Sequence, residues 1–184
     1  MNTIDKISIS EKKDKLLILF LIFTFGGIFG FIYEELFYLI DLGYLVKRGT
    51  TFGPWIPIYG FGAILIIITT NRIRRFPVAV FAVAAIVSGI LEFVTGYVLL
   101  HIQGVRLWDY NTEIWNWGNI GGYICARSVL FFGVSALFLQ YAVYPMTRKF
   151  QTICRRDIFF VISVVPAALF VIDIIISRFC GILF

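Results

Sequence analysis

Five long apolar runs, separated by short polar segments, dominate the chain. They cover residues 16–42, 56–70, 77–101, 120–144 and 158–179. A helix needs about 20 mostly apolar residues to cross a hydrocarbon core about 30 Å thick, and the second run is only just long enough. The pattern predicts an all-α fold, a polytopic membrane helix bundle of about five transmembrane helices. Residues 1–15 form a cytoplasmic polar arm, and residues 16–184 a single transmembrane helical domain.

The overall composition supports the membrane assignment. The chain has 184 residues, of which 60% are hydrophobic and 15% are charged. Its mean hydropathy is +0.91. A soluble domain could not bury this much apolar surface, so the lipid bilayer is the first expected partner.

The basic residues alternate between the two ends of the predicted bundle, which indicates an orientation. Eleven lie before the first run or in the segments after the second and fourth runs: Lys6, Lys12, Lys13, Lys15, Arg72, Arg74, Arg75, Arg148, Lys149, Arg155 and Arg156. Four lie at the other end: Lys47, Arg48, Arg106 and Arg178. The positive-inside rule therefore predicts the N-terminus in the cytoplasm and the C-terminus outside. Basic loops beside anionic lipid explain the net charge of +5 without nucleic acid.

Cysteine usage gives no disulfide framework. Cys125 lies within the predicted fourth span, Cys154 in a cytoplasmic segment and Cys180 near the outer end. In this topology Cys154 and Cys180 are separated by the bilayer, so they cannot pair. Because small thiols pack well in apolar surroundings, we expect all three to be free.

Away from the ends of the predicted spans, five ionisable residues lie inside them: Glu34, Glu35, Glu92, Arg127 and Asp173. A charge near the centre of a membrane helix costs at least about 2.5–3.5 kcal/mol on insertion scales, so each one requires a partner or water. Four of them, on four different spans, lie at one depth, roughly 9–14 Å below the outer boundary at 1.5 Å per residue. The sequence therefore predicts a charged layer in the outer half of the bundle.

Small residues indicate which helix faces meet at this layer. Two stripes recur at helical spacing: Gly26, Gly30, Glu34 and Tyr38 on the first span, and Ala85, Ser88, Glu92 and Gly96 on the third. Small residues at this spacing let helices approach closely in lipid, so both stripes should face the interior. We expect Glu34 and Glu92 to come together, with Arg127 as their counter-ion or with one carboxyl protonated.

Two segments at the outer end carry further candidate residues. Gly53, Pro54 and Pro57 allow either a segment to re-enter the bundle or the second helix to begin below the surface, and in both cases free amides would face the charged layer. The loop over residues 103–119 contains Trp108, Asp109 and three further aromatic residues. Such a loop is either an interfacial aromatic belt or a lid over the layer beneath it.

Three stretches together resemble a known family. They are Tyr33 and Glu34, the segment 48–62 with its Gly-Pro and Pro-Ile-Tyr-Gly pieces, and the segment 108–128 with Trp-Asp-Tyr. The pattern resembles the bacterial Putative ABC-transporter type IV family, the CmpB-like permeases, over about residues 27–140. The resemblance implies a multi-pass protein of the bacterial cytoplasmic membrane and a role in transport.

These observations define a candidate substrate-binding or polar cavity. Its expected residues are Glu34, Glu92, Arg127, Asp173, Tyr59, Asp109 and Trp108. The competing interpretation is a sealed ion-pair network that only orients helices. We assign no catalytic residue, no cofactor and no metal site, because one histidine, His101, with carboxylates is a poor zinc site.

Three functions remain open at this point. A transporter membrane component would need a separate ATPase subunit, since the chain has no Gly-Lys-Ser/Thr phosphate-binding loop, and five spans would require homo- or hetero-oligomers. A membrane-embedded enzyme would act on a lipid or lipid-linked substrate, with Glu34 or Glu92 as acid or base. A non-catalytic assembly protein would have no substrate.

Overall fold

The fold is an all-helical bundle with four candidate membrane spans and one shorter apolar helix. The computed structural model describes the backbone of residues 3–180 and the side chains of residues 11–180. Its helices are α1 (Thr3–Leu42), α2 (Pro57–Thr70), α3 (Pro77–Gln103), α4 (Ala126–Phe138), α5 (Tyr144–Ile153) and α6 (Arg156–Phe179). Within this part of the chain, the helices long and apolar enough to span are Glu11–Leu42, Pro77–Gln103, Ala126–Ile153 and Arg156–Phe179. The prediction of about five membrane helices is confirmed, with α2 as the short one.

Successive helices run in opposite directions, with α4 and α5 forming one continuous span, so the connections collect at two ends. α1 packs against α2 and α6, and α3 packs against α2 and α4. The end that carries segments 43–56 and 104–125 and the end of α6 is called the loop end here. The opposite end, which carries residues 71–76 and 154–155, is called the basic end. The sequence assigned the same connections to each end.

The two small-residue stripes do not meet each other as expected. An added Cβ at Gly26 would lie 2.6 Å from the Cβ of Ala63, and one at Gly30 would overlap the side chain of Tyr59. The glycine stripe of α1 therefore faces the interior, as predicted, but it packs against α2. The close approach explains why α2, though short, is firmly held in the bundle.

The segment before α2 re-enters the bundle, as the Gly-Pro pattern predicts. The amide of Ile56 donates to the carbonyl of Gly27 at 3.0 Å. Gly27 lies about 22 Å below the end of α1 at 1.5 Å per residue. The chain thus descends deep into the bundle before Pro57 begins α2.

The predicted start of the fourth span at residue 120 is wrong. α4 begins at Ala126, and Gly118, Gly121 and Gly122 have φ values of 68°, 61° and 78°. These left-handed conformations interrupt a helix, so residues 104–125 form an irregular loop. The helix also continues further than predicted, through a π-helical turn at Leu139–Val143 into α5.

The N-terminal boundary differs as well. α1 begins at Thr3, so it extends into the residues assigned to the polar arm. The charged side chains of that arm before residue 11 lie outside the described residues.

Candidate functional site

A polar cavity lies between the helices near the loop end, and together with the open space at its mouth it measures about 410 Å³. Its polar and aromatic lining includes Tyr33, Glu34, Tyr38, Tyr59, Glu92, Trp108, Tyr110, Glu113 and Arg127. Five of the seven candidate residues are among them. Helices α1 to α4 and the loop 104–125 all contribute, so the cavity exists only in the folded bundle.

Glu34 is paired with a cation that the sequence analysis did not assign to it. The Nε of Arg48 donates to its carboxylate at 3.1 Å, and the amide of Arg48 donates to Glu35 at 2.6 Å. The guanidinium also lies 3.8 Å from the centroid of the Tyr38 ring. Burial lowers the pKa of Arg48, but the neighbouring Glu34 carboxylate outweighs it and the net pKa is raised. Arg48 therefore stays charged.

The predicted counter-ion role of Arg127 toward Glu34 and Glu92 is wrong. Its Nη2 donates instead to Glu113 at 2.7 Å, and Glu113 also accepts a hydrogen bond from the Tyr38 hydroxyl at 2.6 Å. The guanidinium lies 4.0 Å from the centroid of the Phe37 ring. Its Nε and Nη1 are buried and donate to no oxygen among the described residues. The thiol of Cys125 is another polar group that interacts with Arg127.

Glu92 is bound by hydroxyl groups. Its side chain is 6% exposed, and Ser128 Oγ donates to it at 2.9 Å. The Tyr110 hydroxyl donates to its other oxygen. Burial raises the pKa of Tyr110 well above its usual range, and the Glu92 carboxylate raises it further, so the phenol keeps its proton. No salt bridge reaches Glu92 in the part of the chain that the structure describes.

Asp173 lies apart from the cavity and holds the re-entrant segment. Its carboxylate accepts hydrogen bonds from the amides of Phe52 at 3.0 Å and Gly53 at 2.7 Å. The indole Nε1 of Trp55 donates to it at 2.7 Å. Free amides of the re-entrant segment thus face a charged residue, as the sequence predicts, and that residue is Asp173.

Asp109 also lies outside the cavity and organises the loop 104–125. It accepts hydrogen bonds from Arg106 at 2.9 Å and from the amide of Asn111 at 3.0 Å. Partial burial acts to raise the pKa of Asp109, but the Asn111 and Arg106 hydrogen bonds outweigh it and the pKa is lowered. Its neighbour Trp108 does line the cavity, and the indole donates to the carbonyl of Tyr123 at 2.9 Å.

Sequence reasoning missed two kinds of residue at the cavity. Tyr33, Phe37 and Tyr38 line it from α1, whereas Tyr110 and Glu113 line it from the loop 104–125. Arg48, which bonds to the cavity residue Glu34, also comes from a segment that the hydropathy pattern places outside the bundle. The signal available was their chemistry, since a charged or phenolic residue within a motif segment is a candidate partner for an ion in a helix. Trp108, Tyr110 and Glu113 of the loop 104–125 line this end of the cavity.

A second, apolar cavity adjoins the polar one, and together with the open space at its mouth it measures about 630 Å³. Ile58, Tyr59, Glu92 and Phe132 line both. Phenylalanines of α1 and α4 supply much of its remaining wall. Among the described residues, no group of histidine, cysteine and acidic side chains could hold a metal ion.

The four candidate spans, with polar side chains buried between them, define a multi-pass helical membrane protein. The chain matches the model of the family described as Putative ABC-transporter type IV over residues 21–178, and it belongs to that family. No curated protein and no solved structure matches it. The family name associates the chain with ABC transport, and the lipid bilayer is its environment.

Proposed function

We propose that this protein is the membrane-spanning component of an ABC-type transport system in the bacterial cytoplasmic membrane. The loop end faces outward, and the polar cavity receives substrate from that side. The family membership and the eleven basic residues assigned to the opposite end support this proposal. The remaining candidate residues, Asp173 and Asp109, hold the two loop-end segments, of which the loop 104–125 lines the cavity.

The state of Arg127 is the observation that carries the proposal. Two of its nitrogens, Nε and Nη1, are buried and donate to no oxygen among the described residues, while the guanidinium borders a cavity. Leaving a buried donor unsatisfied costs about 1–3 kcal/mol, and more for a charged group. Water or the oxygen of a polar solute removes this cost. A residue that only locked the bundle would gain most if all its donors were satisfied within the protein.

Glu92 adds a second binding function to the same cavity. Its carboxyl is held by two hydroxyl groups and is not neutralised by a bonded cation. A proton or a cationic group of the substrate completes this arrangement. Arg127 and Glu92 together therefore fit a solute that carries both an acceptor oxygen and a positive or hydrogen-bonding group.

ATP-driven transport requires a separate ATPase subunit, because the chain lacks a Gly-Lys-Ser/Thr loop. The first experiment is purification of the tagged protein from native membranes in a mild detergent. We expect an ATP-binding protein to co-purify and the complex to hydrolyse ATP. Absence of any ATPase, also after cross-linking in membranes, would contradict the transport assignment.

A variant pair tests the cavity itself. Glu92→Gln should retain the ATPase partner and lower transport-coupled ATP hydrolysis, while Glu11→Gln, which changes an exposed carboxyl of α1, should leave both unchanged. If Glu92→Gln only lowers stability in detergent, the polar cluster is a sealed network.

A membrane-embedded enzyme remains the second candidate, because the Ser128 hydroxyl lies 2.9 Å from Glu92. The same hydroxyl also hydrogen-bonds the backbone of Cys125 at the start of α4, which gives it a structural role. Ser128→Ala discriminates the two functions. Loss of turnover of a lipid substrate, with the protein folded and no ATPase bound, would favour the enzyme.

A further inference from the structure

The apolar cavity opens sideways between α1 and α4. α1 packs against α2 and α6, and α4 packs against α3, while aromatic rings bridge the gap between α1 and α4. Near the loop end the rings of Tyr33 and Phe131 are stacked, with their centroids 3.8 Å apart. Further down the gap the centroids of Phe29 and Phe138 are 6.4 Å apart. Phe25 and Phe138 line the cavity and are also exposed on the outer surface, so they mark its mouth.

The mouth of the apolar cavity lies at the depth of the bilayer centre. Phe25 is close to the midpoint of the span Glu11–Leu42, and Phe138 is close to the midpoint of the span Ala126–Ile153. The mouth therefore faces the hydrocarbon core, whichever end of the bundle faces outward. The molecules that reach it directly are lipid chains and other solutes dissolved in the bilayer.

The walls of this cavity suit an apolar chain. They contain five phenylalanines, and the polar side chains among them belong to Tyr59, Ser88, Glu92 and Ser135. Such a space holds water poorly, and an empty space leaves the wall atoms without contacts. An alkyl chain restores those contacts. From Ser128, beside Glu92, to Leu139 in the cavity wall, α4 covers about 16 Å at 1.5 Å per residue, which gives the chain its length.

Glu92 lies at the junction, because it lines both the apolar and the polar cavity. Of the other carboxylates in the polar cavity, Glu34 is bonded to Arg48 and Glu113 is bonded to Arg127. Glu92 is bonded by two hydroxyl groups and, among the described residues, by no cation. A head group that donates hydrogen bonds fits this carboxylate, and an ammonium fits it best. A carboxylate head group would be repelled.

We propose that the two cavities together bind one amphiphile. Its alkyl or acyl chain occupies the apolar cavity, which it enters between α1 and α4, and its amine or hydroxyl head group donates to Glu92. This inference names the class of solute that the polar cavity receives, and in that respect it rests on the proposed function.

The experiment uses the purified full-length protein in glyco-diosgenin, a detergent whose rigid steroid part has no alkyl chain. Dodecylamine, dodecanol and dodecanoate share one chain and differ in the head group, and ethanolamine carries the head group without the chain. Native mass spectrometry measures the binding of each. We expect dodecylamine to bind most tightly, dodecanol next and dodecanoate most weakly, with no measurable binding of ethanolamine. A diazirine at the chain end of dodecylamine should cross-link to the cavity wall near Phe29 or Leu139, and excess dodecylamine should suppress the cross-link.

A variant that fills the apolar cavity tests where the chain lies. Ser135→Leu adds an apolar side chain to the wall. Each buried methylene contributes about fourfold in affinity, so displacing two or more should weaken dodecylamine binding at least about tenfold. Val134→Leu changes the adjacent, exposed position of α4 and should bind as the wild type does. If Ser135→Leu does not fold, Gly62→Leu fills the same cavity from α2, where an added Cβ would lie 3.5 Å from Leu91, an ordinary contact.

A second variant tests where the head group lies. Glu92→Gln removes the charge and keeps a hydrogen-bonding side chain. Because hydrogen bonds to a charged group are stronger, the preference for dodecylamine over dodecanol should fall about fivefold or more. Binding of dodecanol should change less than binding of dodecylamine.

Three results would overturn the inference: equal dodecylamine binding by the wild type and the cavity-filling variants, cross-links confined to the outer faces of the helices, and an unchanged head-group preference in Glu92→Gln. Failure of the proposed function gives a different result. An ATPase that co-purifies with a protein unable to bind dodecylamine would retain transport and exclude this substrate class. Saturable binding of dodecylamine without any ATPase partner would retain the amphiphile site and contradict the transport assignment.

Discussion

The two ends of the bundle are held together by different kinds of interaction. At the loop end, charged side chains are buried. Those of Arg127 and Glu113 are only 13% and 5% exposed. At the basic end, the ion pair of Arg155 and Asp157 leaves both side chains 79% and 89% exposed. The interior there is an apolar cluster that includes Leu17, Ile18, Ile22, Ile66, Ile67, Ala136 and Phe159.

The difference separates an end held by apolar packing from an end that contains buried ions. Apolar side chains pack against lipid nearly as well as against protein, so the basic end gains its stability from close packing. Buried ions at the loop end gain little stability over an apolar core, yet they impose strict geometry and are costly to break. An end built in this way at some cost in stability is the expected place for binding.

The first way to test the comparison is to ask which end faces outward. In intact cells, a membrane-impermeant maleimide should label Cys180, which is exposed at the loop end, and should leave Cys154 at the basic end unlabelled. Mass spectrometry of the purified protein measures the difference, which should be all-or-none because the reagent cannot cross the bilayer. Permeabilised cells provide the control for Cys154. Labelling of Cys154 alone in intact cells would reverse the orientation.

Removing one ion of a buried pair should produce the largest loss of stability. Arg127→Gln leaves Glu113 as a buried charge without its cation, so we expect the free energy of unfolding in mixed micelles to fall by about 3–5 kcal/mol. Arg74→Gln, at the exposed basic end, is the control. The double variant Arg127→Gln/Glu113→Gln should recover part of the loss. Additive losses in the double variant would show that the pair is not coupled.

Hydropathy was sufficient to predict the helices but not the partners of the ions. Glu34, Glu92 and Arg127 could be placed near one level because helical rise fixes depth along a span. Arg48 and Glu113 could not be assigned to them, because both lie in segments without a helical or strand period. Their positions depend on tertiary contacts, such as the hydrogen bond from the Ile114 amide to Asp41 at 2.9 Å.

The start of α4 was mispredicted for a related reason. A hydropathy average treats Gly121 and Gly122 as neutral members of an apolar run, whereas their positive φ values exclude a helix there. By contrast, the re-entrant segment was predictable because Gly53, Pro54 and Pro57 restrict the backbone locally. The sequence therefore predicted where proline and glycine restrict the backbone, but it did not predict which distant residues form ion pairs.

A cavity made in the apolar cluster at the basic end should lower the free energy of unfolding by a somewhat smaller amount. Ile22 is fully buried at 0% exposure in the apolar cluster. Ile22→Ala leaves a cavity, and we expect the free energy of unfolding to fall by about 2–4 kcal/mol. Ile86→Ala, at a site that is 62% exposed on α3, is the matched control and should have little effect. Equal losses at the two positions would mean that Ile86 is buried by another protein chain.

Weakening the hydrogen bonds between Asp173 and the re-entrant segment should cost less stability than either Arg127→Gln or Ile22→Ala. Asp173→Asn keeps one acceptor oxygen but loses the charge that strengthens the bonds from Phe52, Gly53 and Trp55. We expect a loss of about 1–2 kcal/mol in the free energy of unfolding, since charge-assisted hydrogen bonds exceed neutral ones by about that amount. Fluorescence of Trp55 should report the loosened segment, and the conservative variant Asp173→Glu should retain more of the signal than Asp173→Asn.

The smallest effect should come from Asp109, whose ion pair with Arg106 is partly exposed. Such pairs contribute at most about 1 kcal/mol. The folded-state pKa of Asp109 is lowered, so its contribution is complete above its unfolded pKa of about 3.9 and is lost as the pH falls through the folded value. The difference in unfolding free energy between the wild type and Asp109→Asn should therefore be constant from about pH 7 to pH 5 and shrink below about pH 4. A difference that shrinks already above pH 5 would mean that the pKa of Asp109 is raised, and that the loop is held together without its charge.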